Sequence, residues 1–162
     1  MNWFIDNKLN ELFIAVEWAE KGDLKLVMKR AQEDEVSFPE KQIWRYIFQI
    51  ANALQHMHSK RIMHRDLKPA NKFLMDTGEI KIIDFGESKD YFKEGDDGGA
   101  GSMATIRGTP QYLSPILWKA HVEDGGNTRH VVHNLFKSDV YSCGLIFLQL
   151  ASMEDVTGFN QK

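Results

Sequence analysis

The chain has 162 residues, 43% of them hydrophobic and 27% charged, which excludes a disordered chain and suits one folded domain with a core. Lys and Arg number 20 against 23 Asp and Glu, so the net charge of -3 leads us to expect no nucleic-acid partner. The single cysteine excludes an internal disulfide, and no apolar stretch is long enough for a membrane span. We therefore expect an intracellular protein, cytoplasmic or nuclear, with no membrane partner.

The first predicted element is a strand hairpin. Two apolar runs, Trp3 to Ile5 and Leu12 to Val16, flank the polar segment from Asp6 to Asn10. Apolar residues from Leu24 onward then predict a short helix that ends in the polar segment from Gln32 to Glu35.

The most regular pattern predicts a long helix after Ser37. Pro39 and Glu40 suit its first turn. Its apolar residues recur at spacings of three and four and predict a buried stripe; they are Ile43, Ile47, Ile50, Leu54 and Met57. We expect Trp44 and Phe48 to widen this buried face.

Short strands and a polar loop follow the long helix. The strand segments are Arg61 to Met63, Phe73 to Met75 and Ile80 to Ile83, with a tight turn at Asp76 to Gly78 before the last of them. The polar, Gly-rich stretch from Lys89 to Arg107 has no apolar periodicity, so it predicts a mobile loop.

A second loop and a last helix complete the predicted elements. The stretch from His121 to Asn134 is polar and predicts a loop. Ser138 is a typical N-cap with Asp139 just inside the helix, and apolar residues up to Leu150 predict a helix buried on nearly all sides. Because no cysteine lies at ligand spacing, we do not expect the histidines of this region, His121, His130 and His133, to bind zinc.

The chemistry of the chain is concentrated in two motifs. Residues 64–71 read HRDLKPAN, and Asp84-Phe85-Gly86 begins 13 residues after Asn71. Phosphoryl transfer needs a group that orients the attacking hydroxyl, metal ions that neutralise phosphate charge, and oxygen ligands that hold those ions. The two motifs supply every one of these oxygen groups.

Each residue type in these motifs suits one part of that chemistry. Asp66 can accept the hydroxyl proton, and Lys68 can offset charge on the transferred group. Asn71 and Asp84 can ligate two magnesium ions, and Arg65 can balance Asp66 or a phosphorylated loop residue.

HRDLKPAN with DFG resembles the catalytic core of a eukaryotic protein kinase. The resemblance implies an α+β, protein-kinase-like fold, consisting of most of the helical large lobe and the last strand hairpin of the small lobe. It implies ATP and Mg²⁺ as cofactors and a protein substrate. Lys68, two residues after Asp66, matches the serine/threonine-specific pattern, so the implied acceptor is Ser or Thr.

The segment before the first helix resembles the kinase hinge. In that family the backbone of Glu17 to Ala19 would bind the adenine edge, and Val16 would be the gatekeeper. Asp23 would lie near the ribose hydroxyls, and Phe73 would form the apolar floor under adenine.

Two downstream segments extend the resemblance. Residues Gly108 to Pro115 resemble the end of an activation segment, in which Thr109 would contact the catalytic aspartate and lysine. Residues Lys137 to Gly144 resemble the start of the central large-lobe helix, with Asp139 bonding back to the backbone of the catalytic loop.

The subfamily resemblance rests on three short segments. Asn10 to Leu12, Gly22 to Leu24 and His56 to Ser59 are most similar to NIMA-related kinases. Ser102 and Thr105 lie in the activation segment, where an activating kinase could place a phosphate beside Arg65, although either can equally be a solvated polar loop residue.

The resemblance divides the chain into 1–17 (small-lobe strands), 17–23 (hinge) and 24–162 (an incomplete large lobe). Within the incomplete large lobe, residues 84–116 are the activation segment and residues 117–137 are an insertion.

The sequence also departs from the family pattern. No Gly-rich loop or strand lysine precedes Glu17, and Ser114-Pro115-Ile116 replaces Ala-Pro-Glu. Two functions therefore stay open: a serine/threonine kinase that keeps Asp66, Lys68, Asn71 and Asp84, and a non-catalytic truncated fragment or pseudokinase-like scaffold.

Overall fold

The computed structural model of the chain describes residues 2–90, 102–123 and 130–161. It begins with an antiparallel hairpin of β1 (Asn2–Asp6) and β2 (Glu11–Ala15), which confirms the first prediction. The Asp6 carboxylate accepts the backbone N–H of Lys8 at the turn (2.8 Å), and the rings of Phe4 and Phe13 stack at 4.9 Å.

Two helices follow the hairpin. Helix α1 (Leu24–Glu33) is capped by the Asp23 carboxylate, which accepts the Leu26 N–H at 2.8 Å. Helix α2 (Glu40–Ser59) is the predicted long helix.

The buried face of α2 differs in part from the predicted one. Ile50, Leu54 and Met57 are buried as expected, but Trp44 and Phe48 are exposed. Tyr46 is buried between them, and residues two positions away on a helix point about 200° from it. The prediction that Trp44 and Phe48 widen the buried face was therefore wrong.

The short strands pair in two antiparallel sheets. β3 (Ile62–Met63) pairs with β6 (Lys89–Asp90), and β4 (Lys72–Leu74) pairs with β5 (Ile80–Ile82). The three predicted strand segments are confirmed: the first and third are each one residue shorter than predicted, and the second has the predicted length but begins one residue earlier.

Both predicted loops contain regular structure. β7 (Ser102–Thr105) lies in the first and pairs with β8 (His130–His133) in the second. Helix α3 (Pro115–Glu123) also extends into the second. The loop predictions were wrong here because each strand is stabilised by a partner distant in sequence. Residues 91–101 and 124–129 of the two predicted loops lie outside the described residues.

The last helix, α4 (Leu135–Ser152), begins earlier than predicted. Its N-cap is Asn134, whose side chain accepts the Lys137 N–H at 3.0 Å, so the assignment of Ser138 as N-cap was wrong. Nor is the helix buried on nearly all sides, since Val140 and Leu148 are exposed.

The main core lies between α1, α2, α4 and the β4–β5 pair. Its buried residues include Leu24, Ile50, Leu54, Ile146 and Leu150. Leu67 enters the same core, so the loop that carries the 64–71 motif is fixed to it. Helices with small antiparallel sheets confirm the α+β class. Within the described residues, no helix combines the length and apolar character that a bilayer span requires.

Candidate active site

The 64–71 loop is built around a buried histidine. The His64 Nε2–H donates to the carbonyl of Ile83 at 3.0 Å, and its Nδ1 accepts the N–H of Asp66 at 3.4 Å. Burial is the main reason that the pKa of His64 lies below its ordinary value of 6.5. A neutral imidazole with Nε2 protonated fits both contacts, so His64 links this loop to the end of β5.

Asp139 of α4 holds the backbone of the same loop. Its two carboxylate oxygens accept the N–H groups of His64 and Arg65, each at 2.9 Å, and one of them also contacts His58 Nε2 at 2.9 Å. The predicted contact of Asp139 with the loop backbone is therefore confirmed. Arg65 has a φ of +66°, a conformation that non-glycine residues seldom adopt and that this anchored loop maintains.

Asp66 is the centre of the polar cluster. Its Oδ1 accepts the backbone N–H of Thr109 at 2.8 Å and the Thr109 hydroxyl at 2.7 Å. Its Oδ2 accepts Lys68 Nζ at 2.7 Å and Asn71 Nδ2 at 3.2 Å. Partial burial opposes ionisation, but the hydrogen bonds from Lys68 and Thr109 outweigh it and lower the pKa of Asp66 below its ordinary value. Asp66 is therefore an ionised acceptor at neutral pH.

Thr109 joins the two charged groups of the cluster. Lys68 Nζ donates to the Thr109 hydroxyl at 2.9 Å, while that hydroxyl donates to Asp66. The predicted contact of Thr109 with this aspartate and lysine is confirmed.

Asn71 and Asp84 are brought to the same end of the β4–β5 pair. The Asn71 carbonyl accepts the N–H of Ile83 at 3.0 Å, which places Asp84 one residue beyond that bond. The Asn71 amide nitrogen donates to the Asp66 carbonyl at 2.9 Å, so its oxygen is the atom left for a cation. Asp84 is exposed, with a φ of +64°.

This donor set fits magnesium. A carboxylate and an amide oxygen are hard ligands, and Mg²⁺ in phosphate sites takes only one or two protein ligands beside water and phosphate. In the described part of the chain there is no group of three or more His, Cys, Asp or Glu arranged to hold a metal.

The adenine-side candidates lie along the β4–β5 pair. Asp23 forms a β-bridge with Phe73, and the carboxylate of Glu17 forms an ion pair with Lys81, the β5 residue opposite Phe73. Ala19 is buried with its carbonyl accepting the Gly22 N–H at 3.1 Å.

The adenine-side candidates also show two features that the sequence did not indicate. Val16 is exposed, and the Asp23 carboxylate serves as the cap of α1. Phe73 is half-buried.

The Arg65 side chain contacts the segment that follows Asp84. Its Nε donates to the Glu87 carbonyl at 2.5 Å, and the Glu87 carboxylate lies 3.5 Å from Arg107. Arg65 and Arg107 line a small cavity together with Thr105 and His133. The two arginines supply positive charge to this cavity, and Asp139 also lines it.

A larger cavity of about 490 Å³ opens beside Lys68 and Thr109. Lys25 and Lys29 of α1 line one part of it, and Glu154 and Asp155 line another. The cluster around Asp66 therefore borders a surface groove that carries side chains of both charges.

Sequence reasoning missed Lys72, which occupies the first position of β4 with its side chain fully buried. Its Nζ donates to the Lys68 carbonyl at 3.2 Å. Burial lowers the pKa of Lys72 to about 8, although Cys143, Asp139 and Asp66 act in the opposite direction. Only its place between Asn71 and the predicted strand that begins at Phe73 could have indicated this position.

Comparison with known proteins gives matches over almost the whole chain. The protein kinase domain model matches residues 2–161. Serine/threonine-protein kinase nekl-2 of Caenorhabditis elegans is 36% identical over 152 residues, which is 90% of this chain and 38% of that protein. Serine/threonine-protein kinase Nek4 of Mus musculus is 35% identical over 93% of this chain and 16% of its own length.

A third relative gives a similar result. The probable serine/threonine-protein kinase nek2 of Dictyostelium discoideum is 32% identical over 92% of this chain and 32% of that protein. The chain thus spans between 16% and 38% of the length of these curated relatives. Their names confirm the resemblance to NIMA-related kinases, and because the family model covers almost every residue of the chain, the chain belongs to the protein kinase family, with the partial kinase-like fold that its motifs imply.

Proposed function

We propose that this chain is the catalytic region of a serine/threonine protein kinase, which transfers the γ-phosphoryl group of Mg-ATP to a hydroxyl of a protein substrate. The observation that carries the proposal is the hydrogen-bonded cluster of Asp66, Lys68, Asn71 and Thr109. In this cluster an ionised carboxylate and an ammonium lie within 2.7 Å of each other at the border of an open groove.

Asp66 is the group that receives the acceptor hydroxyl. An ionised carboxylate accepts a hydrogen bond from a Ser or Thr hydroxyl, orients its oxygen for attack, and takes its proton as the new bond to phosphorus forms. Because its pKa is lowered by Lys68 and Thr109, Asp66 is a weak base, and orientation is its larger contribution.

Lys68 supplies positive charge where the transferred group passes. Its ammonium is fixed between Asp66 and Thr109, so little reorganisation is needed when negative charge develops on the phosphoryl oxygens.

Asn71 and Asp84 would hold magnesium, which when bound neutralises phosphate charge. On the adenine side we assign the hinge to residues 17–23, with Glu17 and Ala19 offering backbone groups and Val16 beside them. Asp23 would approach the ribose, and Phe73 would lie under the base. The bridge between Asp23 and Phe73 supports placing these two on one ligand.

The substrate is a protein, as the names of the relatives imply. The groove beside Lys68 and Thr109 has a volume of about 490 Å³, and its lysines and carboxylates offer partners for a polar chain. We assign the acceptor segment to this groove.

Regulation by an activating kinase is the remaining part of the proposal. Within the activation segment 84–116, Thr105 lines the cavity whose wall carries Arg65, Arg107 and His133. A phosphate on Thr105 would gain charge-assisted hydrogen bonds from both arginines. Ser102 is the second candidate in the same strand.

Phosphotransfer from γ-labelled ATP to a generic Ser/Thr protein substrate tests the function. We expect Mg²⁺-dependent transfer at no more than a trace rate, because no Gly-rich loop or strand lysine precedes Glu17 in this sequence, and we expect Asp66→Asn to abolish it. Asp76→Asn, in an exposed turn, is the control.

A wild-type chain that transfers no phosphoryl group would support the non-catalytic scaffold instead. A thermal-shift titration with Mg-ATP then separates two cases. A nucleotide-dependent rise in melting temperature would indicate binding without transfer. No rise would indicate that the chain neither binds the nucleotide nor transfers its phosphoryl group.

A further inference from the structure

Lys72 is a buried cation that the proposed phosphotransfer does not use. It follows Asn71 directly and begins β4, and its side chain is fully buried, the largest side chain in the described residues with that degree of burial. A lysine at such a position costs free energy that an apolar residue would not, so its contacts need a physical account.

The contact that Lys72 makes is with the backbone of the 64–71 loop. Its Nζ donates to the Lys68 carbonyl at 3.2 Å. The same carbonyl accepts the Asn71 N–H at 3.1 Å, which closes the short helical turn Pro69–Asn71. The Lys68 carbonyl oxygen therefore accepts two hydrogen bonds, one from the backbone of the turn and one from Lys72.

Along the chain, the Lys68 carbonyl lies between the two residues, Lys68 and Asn71, whose side chains contact Asp66. The Lys68 side chain reaches Asp66 and Thr109, and the Asn71 side chain reaches the carbonyl and the carboxylate of Asp66. Rotation of the Lys68 peptide would move both side chains together. A charge-assisted hydrogen bond to that peptide oxygen resists such rotation.

Two buried side chains contact the backbone of this loop. Asp139 accepts the N–H groups of His64 and Arg65, and Lys72 Nζ donates to the Lys68 carbonyl. The loop is thus held by a buried carboxylate at its beginning and by a buried ammonium at its end.

We propose that Lys72 is a positioning residue of the active site, whose buried Nζ fixes the Lys68 carbonyl and, through it, the turn that presents Lys68 and Asn71 to Asp66. The role in catalysis rests on the proposed phosphotransfer, whereas the effect on the turn does not.

Amide hydrogen exchange at Asn71 tests the effect on the turn. Lys72→Met removes the donor and keeps a long side chain, and Lys41→Met makes the same change at an exposed position of α2. We expect Lys72→Met to accelerate exchange at the Asn71 amide about tenfold, the size of one lost hydrogen bond, while the Leu74 amide, bonded to Gly22, keeps its rate. Unchanged exchange at Asn71, or equal acceleration at both amides, would overturn the proposal.

A measurement on the unaltered chain needs no variant to fold. The protons of a buried ammonium exchange slowly with water. A ¹⁵N spectrum of the lysine side chains should therefore show a correlation, transmitted through the hydrogen bond, between Lys72 Nζ and the Lys68 carbonyl carbon. Its absence, with the Lys72 ammonium signal itself visible, would contradict the contact.

Kinetics test the role in catalysis. We expect Lys72→Met to lower kcat about tenfold with an unchanged KM for ATP, because the variant disturbs Lys68 and Asn71 and leaves the adenine side intact. An unchanged kcat would reject the positioning role. A wild-type chain without activity would count against the proposed phosphotransfer, and the exchange experiment would still decide whether Lys72 holds the turn.

Discussion

Gly108 lies so close to Arg65 that a Cβ at Gly108 would come within 2.5 Å of the Arg65 carbonyl oxygen. Gly108 also has a φ of +111°, a conformation that residues other than glycine strongly disfavour. The next residue is Thr109, which bonds Asp66 through its N–H and its hydroxyl. The close approach therefore brings the end of the activation segment onto the 64–71 loop.

Gly108→Ala is expected to lower the free energy of unfolding by about 3 kcal/mol, because it adds backbone strain and a clash with a backbone atom. The segment must shift to relieve the clash, so the Thr109 contacts with Asp66 should weaken as well. Chemical denaturation measures the first effect, and exchange of the Thr109 amide measures the second.

Gly144→Ala is the matched control. Gly144 lies in α4, and a Cβ there would meet nothing within 4 Å. Alanine in a helix interior is more favourable than glycine by about 0.5–1 kcal/mol, so this variant should be more stable than wild type. Equal losses in the two variants would contradict the close approach of Gly108.

The sequence was most informative where local spacing determines structure. The apolar spacing after Ser37 located α2, and the motif at 64–71 identified the residues that cluster around Asp66. Pairing between distant segments was not predictable. β7 and β8 lie in stretches that predict loops, and each is a strand because it pairs with the other, with Ser102 opposite His133.

Local chemistry also allowed wrong choices between equivalent residues. Ser138 and Asn134 are both good N-caps, and the structure uses Asn134, since Leu135 packs in a buried cluster with Met63. Lys72 shows the opposite problem. A lysine usually predicts a solvated position, but the tertiary structure buries this one completely.

Asp139→Asn should destabilise the chain by about 2–3 kcal/mol. The carboxylate accepts the N–H groups of His64 and Arg65 with separate oxygens, and an amide can replace only one of these acceptors. The other N–H would be left buried without a partner, next to an NH₂ group that cannot accept. Denaturant unfolding measures the loss.

Asp155→Asn is the comparison for Asp139. Asp155 also accepts a backbone N–H, that of Thr157 at 2.9 Å, but it is exposed to water. Its bonds all go to one oxygen, Oδ1, which an amide can retain, and water reaches the site, so we expect a loss below about 1 kcal/mol. A loss as large as that of Asp139→Asn would show that burial is not the cause.

Lys72→Met is expected to raise the free energy of unfolding at neutral pH by about 1–3 kcal/mol. The variant removes a fully buried ammonium and fills the same space with an apolar side chain, a replacement that is often stabilising. Thermal and denaturant unfolding measure the gain. A marked loss of stability would mean that the attraction of Asp66 and Asp139 exceeds the cost of burying the charge.

The buried His133 should make the fold sensitive to mild acid. Its Nδ1–H donates to the Val131 carbonyl at 3.0 Å, and its Nε2 has no hydrogen-bond partner among the residues described. Burial lowers the pKa of His133 below 6.5. As the pH falls through 6.5 the unfolded chain binds a proton that the folded chain does not, so stability decreases, by up to about 1.4 kcal/mol per pH unit.

Unfolding measured between pH 7 and pH 5 checks the contribution of His133. His133→Asn retains a donor near the position of Nδ1 without a group that titrates in this range, so it should flatten the dependence. His56→Asn, at an exposed site of α2, serves as the control. An identical slope in wild type and His133→Asn would rule out His133 as the source.

Cys143 should be a reporter of global unfolding. It is the single cysteine of the chain, it lies in the core on α4, and burial raises the pKa of its thiol to about 12. The thiolate is the reactive form, so a thiol reagent at pH 8 should modify the folded chain only when it opens. We expect the labelling rate to rise with denaturant in parallel with the unfolded fraction, and Gly108→Ala to label faster than Gly144→Ala. Rapid labelling of the native chain without denaturant would show that α4 is not packed in the core at Cys143.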